Sequence, residues 1–569
     1  MKKILFIILI SIILMGCENN IYTVEGYHGD IDVLVDIKNK ELTNIEILNS
    51  NETKEVVSEP VGFLIEDIIR YQSINVDTMS GATKTCDAIK EAVKLAAEKH
   101  KIDDIEKLVI KKVEENKSVQ IETDVVVIGS GGAGLSAAIM AARNGSKVLV
   151  VEKMSEIGGN TYRATAMYNC VDQKLQEPLG IYDSEKIFFE ETYYGGREKA
   201  KKELVEILTS QADEGKEFLE ELGVEFQDVI DNCLGGSHAR GHFSKSANGS
   251  DYIDSLKDEC DKLGVEFLLN CEAKHLKTSN GEVVGVEAVN KTKNVDIKAK
   301  QGVVLATGGF GNNLDMRMKY DSTLTGELLC SNTSGTTGDG IIMAEEVNAS
   351  LINMEYIECY PMADIKDGGL RNSIPNAINQ GILVNQNGNR FIREDAPRDE
   401  LANAIRGQIG GYALSIVDKD FSKQIKDIEF VNGLIYMGDV IKADSLEELA
   451  KRCNIDQDAF LKTIEEYNRG IDINFDNLGR KTNINKIDNP PYYANYNTIS
   501  VHHTLGGVEI NEKAQVIDNN GEVIKRLYAA GEVTGGIHGA NRLGGNSFPD
   551  IIVFGRIAGE NVSKEISNY

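Results

Sequence analysis

The run Asp124-Val125-Val126-Val127-Ile128-Gly129-Ser130-Gly131-Gly132-Ala133-Gly134 decides the fold of most of this chain. Val125 to Ile128 read as a strand buried on both faces. The glycines after it read as a tight turn, and the small apolar residues to Asn144 as a helix that Gly145 stops. Lys147 to Val151 form a second apolar strand, closed by Glu152. A lone G-x-G-x-x-G is weak evidence, but here it has strand, helix, second strand and an acidic residue 18 positions after Gly134. That is a dinucleotide-binding fingerprint. Gly129 permits the turn, Gly131 lets the backbone approach a pyrophosphate, Gly132 and Ala133 continue the loop, and Gly134 lets helix and sheet pack closely. Glu152 would accept hydrogen bonds from ribose hydroxyls.

The fingerprint does not choose between dinucleotides, so the flanking segments must. Gly158-Gly159-Asn160-Thr161 forms a second glycine turn soon after the second strand, as in FAD-binding members of this fold. Val303 to Gly309 and Leu527 to Glu532 are further strand-to-glycine turns resembling later parts of the same fold, joined by Gly338-Asp339-Gly340 and Asn541 to Asn546. FAD is therefore expected.

The composition sets the wider frame. At roughly 150 residues per domain, 569 residues suggest about three or four domains. With 41% hydrophobic and 26% charged residues the chain can bury a sizeable core. A net charge of -28 argues against a nucleic-acid partner, which would need clustered Lys and Arg. Nine cysteines without any C-x-x-C spacing exclude a zinc ribbon, a thioredoxin-type pair and a C-x-x-C-H haem attachment. The odd count also argues against a disulfide scaffold. No metal site is suggested by the histidines.

Lys2-Lys3, the apolar run Ile4 to Met15, and Gly16-Cys17 resemble a bacterial lipoprotein signal. The resemblance implies a signal peptide over 1–17, lipidation of Cys17, and a lipid-anchored protein on the extracytoplasmic face of the membrane. An ordinary secretory leader with an incidental cysteine is the alternative.

Residues 24–105 change from alternating strands, Asp32 to Ile37 and Leu42 to Ile47, to a helix carrying Ile89, Ala92, Val93 and Ala96 at helical spacing. Between them, Asp77-Thr78-Met79-Ser80-Gly81-Ala82-Thr83 resembles the attachment motif of FMN-binding domains. That resemblance implies an FMN phosphate esterified to Thr83 by a flavin transferase. A threonine at a helix start would place the phosphate beside free backbone N–H groups and the positive end of the helix dipole. Helix capping by Ser80 or Thr83 is the plainer use of such residues.

The segments His502-His503-Thr504-Leu505-Gly506-Gly507 and Gly531-Glu532-Val533-Thr534-Gly535-Gly536-Ile537-His538-Gly539-Ala540-Asn541-Arg542-Leu543-Gly544-Gly545-Asn546 resemble the flavin-containing fumarate reductase and succinate dehydrogenase family. Within it the chain is most similar to the FMN-bearing branch that includes urocanate and related enoate reductases. The resemblance implies an α/β architecture. A Rossmann-like FAD-binding domain in two pieces, 119–356 and 501–569, holds an inserted α+β capping domain, 357–500, and a small α+β FMN-binding domain precedes both. Lys153, Gly159, Asn160, Thr161, Thr307, Gly308, Gly309, Asp339, Glu532 and Ser547 would join the fingerprint in binding non-covalent FAD. His502 and Arg542 would hold a substrate carboxylate, and Arg398, in Ala396-Pro397-Arg398-Asp399, would donate a proton. A guanidinium offers a carboxylate a bidentate fork and an imidazole N–H a further donor. Polarising that carboxylate prepares the conjugated C=C for hydride at the β carbon, and the charge reaching the α carbon is quenched by a proton.

The sequence departs from the fumarate pattern at the other end of the substrate. Tyr360 stands where the family has histidine before Pro-Thr, and the family's Thr-Glu-x-x-Arg falls on Ser373-Ile374-Pro375-Asn376-Ala377. A second carboxylate against Ile374 and Ala377 would lose its partners. The expectation is therefore an aryl acrylate or a urocanate-like acid, with Tyr360 stacking on its ring or simply packing in the core. Glu394, Asp395 or Glu358 could resupply the Arg398 proton, and the sequence does not choose. Electrons would arrive from a quinone- or flavin-linked donor through FMN. Three rivals stand beside this reading: a fumarate reductase, the same fold run oxidatively on a steroid or amino acid, and an electron-transfer lipoprotein with no substrate of its own.

Overall fold

The structure is a computed structural model that describes residues 20–26, 29–38, 40–50, 60–76, 83–102, 105, 118–233, 236–290, 293–370, 377–423, 428–481 and 485–565. Cys17, Asp77 to Ala82 and Ile374 lie outside the described residues, as do the side chains of Thr83 and Ala377. The chain forms two compact units, Met1–Asn116 and Lys117–Tyr569.

In the first unit, β1 (Ile21–Glu25), β2 (Asp30–Lys38) and β3 (Glu41–Asn49) form an antiparallel meander. Alternation buries Ile31, Val33 and Val35 on one face of β2. Helices α1 (Pro60–Tyr71) and α2 (Thr83–Lys99) complete the unit, and the four apolar residues read at helical spacing on α2 are all buried. Thr83 is the first residue of α2.

The second unit opens with β4 (Val119–Ile128), α3 (Gly132–Arg143) and β5 (Val148–Val151), as the fingerprint requires. Later come β6 (Glu266–Leu268), β7 (Cys271–Ser279), β8 (Glu282–Asn290) and β9 (Lys293–Leu305). They are followed by β10 (Ile357–Asp364), β11 (Ile382–Val384), α4 (Arg398–Arg406), β12 (Tyr412–Asp418) and β13 (Tyr492–Thr504). The unit closes with β14 (Val523–Ala529) and α5 (Ser547–Val562).

Two sheets position the site. In the first, β6, β5, β4, β9 and β14 lie side by side and parallel, and β7 and β8 extend it as an antiparallel hairpin beyond β9. Val125, Val126 and Val127 have no exposed surface, so this sheet is covered on both faces. The glycine turn fits only without side chains. A Cβ on Gly134 would lie 2.0 Å from the Gly129 carbonyl oxygen, and one on Gly129, whose φ is +100°, 2.3 Å from that of Ala306. The second sheet is built on β13, which pairs antiparallel with both β10 and β12. Because β13 runs unbroken from Tyr492 to Thr504, it carries the chain from this sheet back to the first.

Candidate active site

Strands β10 and β13 bring the site together through an irregularity. Glu358 pairs with His503 but Cys359 with Val501, so His502 is an extra residue in β13. Such a bulge re-aims side chains. His502 thereby faces Tyr360, with ring centroids 5.3 Å apart, while His503 lies 5.7 Å from the His538 ring. Glu358 and Tyr360, two positions apart on β10, both contact the Arg398 guanidinium.

The other two groups arrive from distant elements. Arg398 begins α4 directly after Pro397, and Arg542 lies in the glycine-rich loop before α5. They converge on one oxygen. Arg398 Nη1 donates to Glu358 Oε1 at 2.7 Å and Arg542 Nη2 to the same oxygen at 2.9 Å. The Arg398 guanidinium also lies over the Tyr360 ring, 5.4 Å from its centroid. The structure thus gathers Arg398, His502, Arg542 and Tyr360 around Glu358. From the sequence Glu358 is only one of three candidate proton sources, and its neighbours carry no signal of the two arginines it meets.

Burial dominates the electrostatics. It would raise the Glu358 carboxyl, but Arg542 and Arg398 hold it down at about 2, so it is ionised. Burial lowers the His502 imidazole to about 3, against the pull of Glu358, so the ring is neutral. Ser331 Oγ lies 2.8 Å from His502 Nδ1. The same hydroxyl also reaches the Val501 carbonyl at 3.3 Å; when it turns to donate to Nδ1 instead, the ring proton sits on Nε2, the tautomer that donates to a bound anion. Burial lowers Arg542; at Arg398 burial is again the largest influence, but the charge and hydrogen bond of Glu358 together with Tyr360 leave it raised. Buried Nε groups on both arginines, and Oε2 of Glu358, have no protein partner. The cleft therefore offers donors to an anion. A cavity of about 160 Å³ borders Glu358 on a side shared with Asp399, Arg406 and Asn541.

The expected FAD residues surround the end of the first sheet. Glu152 Oε2 accepts from the Ser130 amide at 3.0 Å and its hydroxyl at 2.7 Å. Lys153 pairs with Asp339 at 2.6 Å, and the Thr161 hydroxyl accepts from the Gly132 amide at 3.1 Å. Asn160 donates to Asn332, which donates in turn to the His502 carbonyl, so the two halves of the site share one network. Glu532 Oε1 accepts from the Thr504 amide at 2.9 Å, and burial pushes its carboxyl up to about 7. A Cβ on Gly309 would overlap the Thr504 hydroxyl and one on Gly340 that of Thr307, so these turns are closely packed. Gly308 has a φ of +72°, and Ser547 opens α5. These residues fit a dinucleotide. Gly131, which precedes α3, supplies no side-chain cap, and a Cβ on it would meet nothing closer than Thr161 Oγ1 at 3.7 Å. Gly131 thus leaves room for a pyrophosphate at the positive end of a helix.

The sequence matches the FAD binding domain family over residues 124–548 and the FMN-binding domain family over residues 26–98. The chain belongs to this FAD-binding flavoprotein family. It is 33% identical over 558 residues to the urocanate reductase of Eggerthella lenta, covering 95% of this chain and 91% of that protein. It is 36% identical over 548 residues to the NADH:fumarate oxidoreductase of Klebsiella pneumoniae (strain 342), covering 95% of this chain and 58% of that longer protein. Among solved structures, the open conformation of a flavocytochrome c3 fumarate reductase superposes with a TM-score of 0.66 at 35% identity, covering 78% of each chain. The FAD-binding fold, preceded by an FMN-binding domain, agrees with the architecture read from the sequence, and the family is one of flavin oxidoreductases.

Proposed function

We propose that this flavoprotein reduces the C=C bond of an α,β-unsaturated monocarboxylate, of the aryl acrylate or urocanate type. The observation that carries this reading is the convergence of Arg398 and Arg542 on one buried carboxylate, Glu358, with neutral His502 and Tyr360 beside it. The relatives named for urocanate and fumarate support it.

Arg542 and His502 hold the substrate carboxylate, using the unpartnered Nε of Arg542 and the Nε2–H of His502. Their pull draws electron density out of the conjugated double bond. Reduced flavin, when bound, supplies the hydride. Arg398 delivers a proton to the α carbon. Glu358 strengthens the hold of Arg398 on its proton, so the proton leaves only for a base as strong as the developing carbanion. Tyr360 closes the far end of the cleft with an aromatic face.

In this reading Thr83 carries FMN as a phosphoester made by a flavin transferase. FMN held on Thr83 would supply electrons received from a quinone- or flavin-linked donor, and lipid on Cys17 would hold the protein at the extracytoplasmic membrane face. Intact mass of flavinylated protein should show one FMN less water, absent in Thr83→Ala. Activity is tested by anaerobic oxidation of reduced viologen with fumarate, urocanate, cinnamate, a hydroxycinnamate, methacrylate and itaconate in parallel. Reduction of an aryl or heteroaryl enoate to its saturated acid is expected. Preference for fumarate would restore the dicarboxylate reading.

A further inference from the structure

We infer that Glu358 sets the charge of the acid this site accepts, making the cleft complementary to a monocarboxylate and repulsive to a dicarboxylate. The inference rests on the reading of the site as an enoate site and specifies its substrate class.

The charges can be counted. Arg398 and Arg542 contribute two positive charges, and Glu358, with a side chain 3% exposed, contributes one negative charge between them. His502 is neutral, and Tyr360 and Ser331 carry no charge. The other charged groups bordering Glu358 balance one another: Asp399 pairs with Arg197, and Asp321 and Arg406, of opposite charge, line the same cavity, while Glu532 accepts from Thr504 on the dinucleotide side. Among the described residues the cleft therefore carries a net charge of about plus one. A monoanion neutralises it. A dianion leaves a surplus negative charge out of contact with bulk water, beside the unpartnered Oε2 of Glu358. A like charge roughly 5–6 Å away, at an effective permittivity of about 20, weakens binding on the order of 100-fold.

Glu358→Gln preserves shape and removes the charge; Glu358→Asp preserves the charge. The test uses flavinylated full-length protein and two matched pairs differing only by methyl against carboxylate: crotonate with fumarate as substrates, butyrate with succinate as ligands. Ligand Kd is read from the flavin absorption spectrum, and flavin content reports folding. Wild type should bind butyrate at least tenfold more tightly than succinate. Glu358→Gln should shift that ratio at least tenfold toward the dicarboxylate, with crotonate and fumarate kcat/KM moving in the same sense, while Glu358→Asp keeps the wild-type order. A smaller shift in Glu358→Gln, an equal shift in Glu358→Asp, or tighter binding of succinate by wild type overturns the inference. The last of these needs no variant to fold. Failure of wild type to reduce any enoate overturns the parent reading instead, independently of the Kd ratio.

Discussion

Replacing Arg398 with methionine separates anchoring from proton delivery. The substitution keeps the length of the buried stem and removes the guanidinium that lies 2.7 Å from Glu358 Oε1 and above the Tyr360 ring. Arg542, still 2.9 Å from the same oxygen, keeps one cation on Glu358, so the cleft should remain folded. The lost charged hydrogen bond costs stability about 1.5–3 kcal/mol at most. The anchoring end, Arg542 and His502, is untouched, so KM should change less than about tenfold. Without its acid, kcat should fall by about 10²–10⁴. Arg542→Met should do the reverse in part, raising KM by about 10- to 100-fold through loss of a charged anchor. The assay is anaerobic steady-state turnover with reduced viologen, with flavin content and reducibility by dithionite as controls. An Arg398→Met enzyme that keeps its flavin and turns over within tenfold of wild type would refute the assigned role.

Three further outcomes follow from the same structure. The His502 pKa is lowered to about 3 from an ordinary 6.5, so between those pH values the unfolded chain binds a proton that the folded one does not. This contribution to stability is present above pH 6.5 and is lost as pH falls toward 3; thermal midpoints of His502→Asn should decline less than wild type across that window. Arg240 has no exposed surface and binds Asp183 at 2.7 Å and Glu191 at 2.7 Å. Arg240→Met would leave Asp183 buried without a cation, while Glu191 keeps His238, and would destabilise by about 3–5 kcal/mol, read as an earlier loss of flavin on heating. Gly134→Ala would press a Cβ 2.0 Å from a backbone oxygen, so purified protein should contain little FAD; near-stoichiometric flavin would count against the packing described.

What the sequence disclosed follows the range of the physics involved. The turn from Gly129 to Gly134 was legible because strand, steric need for glycine and helix are all local, and the structure reproduces them residue by residue. The helical face of Ile89, Ala92, Val93 and Ala96 was legible from periodicity for the same reason. Arg398, His502 and Arg542 were legible only through motif resemblance, because residues 104 and 40 positions apart must meet before their charges interact. Glu358 could not be assigned at all from its neighbours. Its partners come from α4 and from the loop before α5, and its cleft depends on the extra residue at His502 in β13. A one-residue bulge leaves no compositional trace, so alternation alone would have put His502 and Tyr360 out of register.

The most direct test is a single turnover. Protein reduced to completion under anaerobic conditions is mixed rapidly with cinnamate, urocanate, crotonate or fumarate, while FAD reoxidation and the organic product are followed together. The account predicts FAD reoxidation by at least one monocarboxylic enoate, with one saturated acid formed per FAD and slower reoxidation by fumarate. Flavin that stays reduced in the presence of every unsaturated acid, yet reoxidises with an inorganic electron acceptor, would contradict it and leave an electron carrier without a carbon substrate.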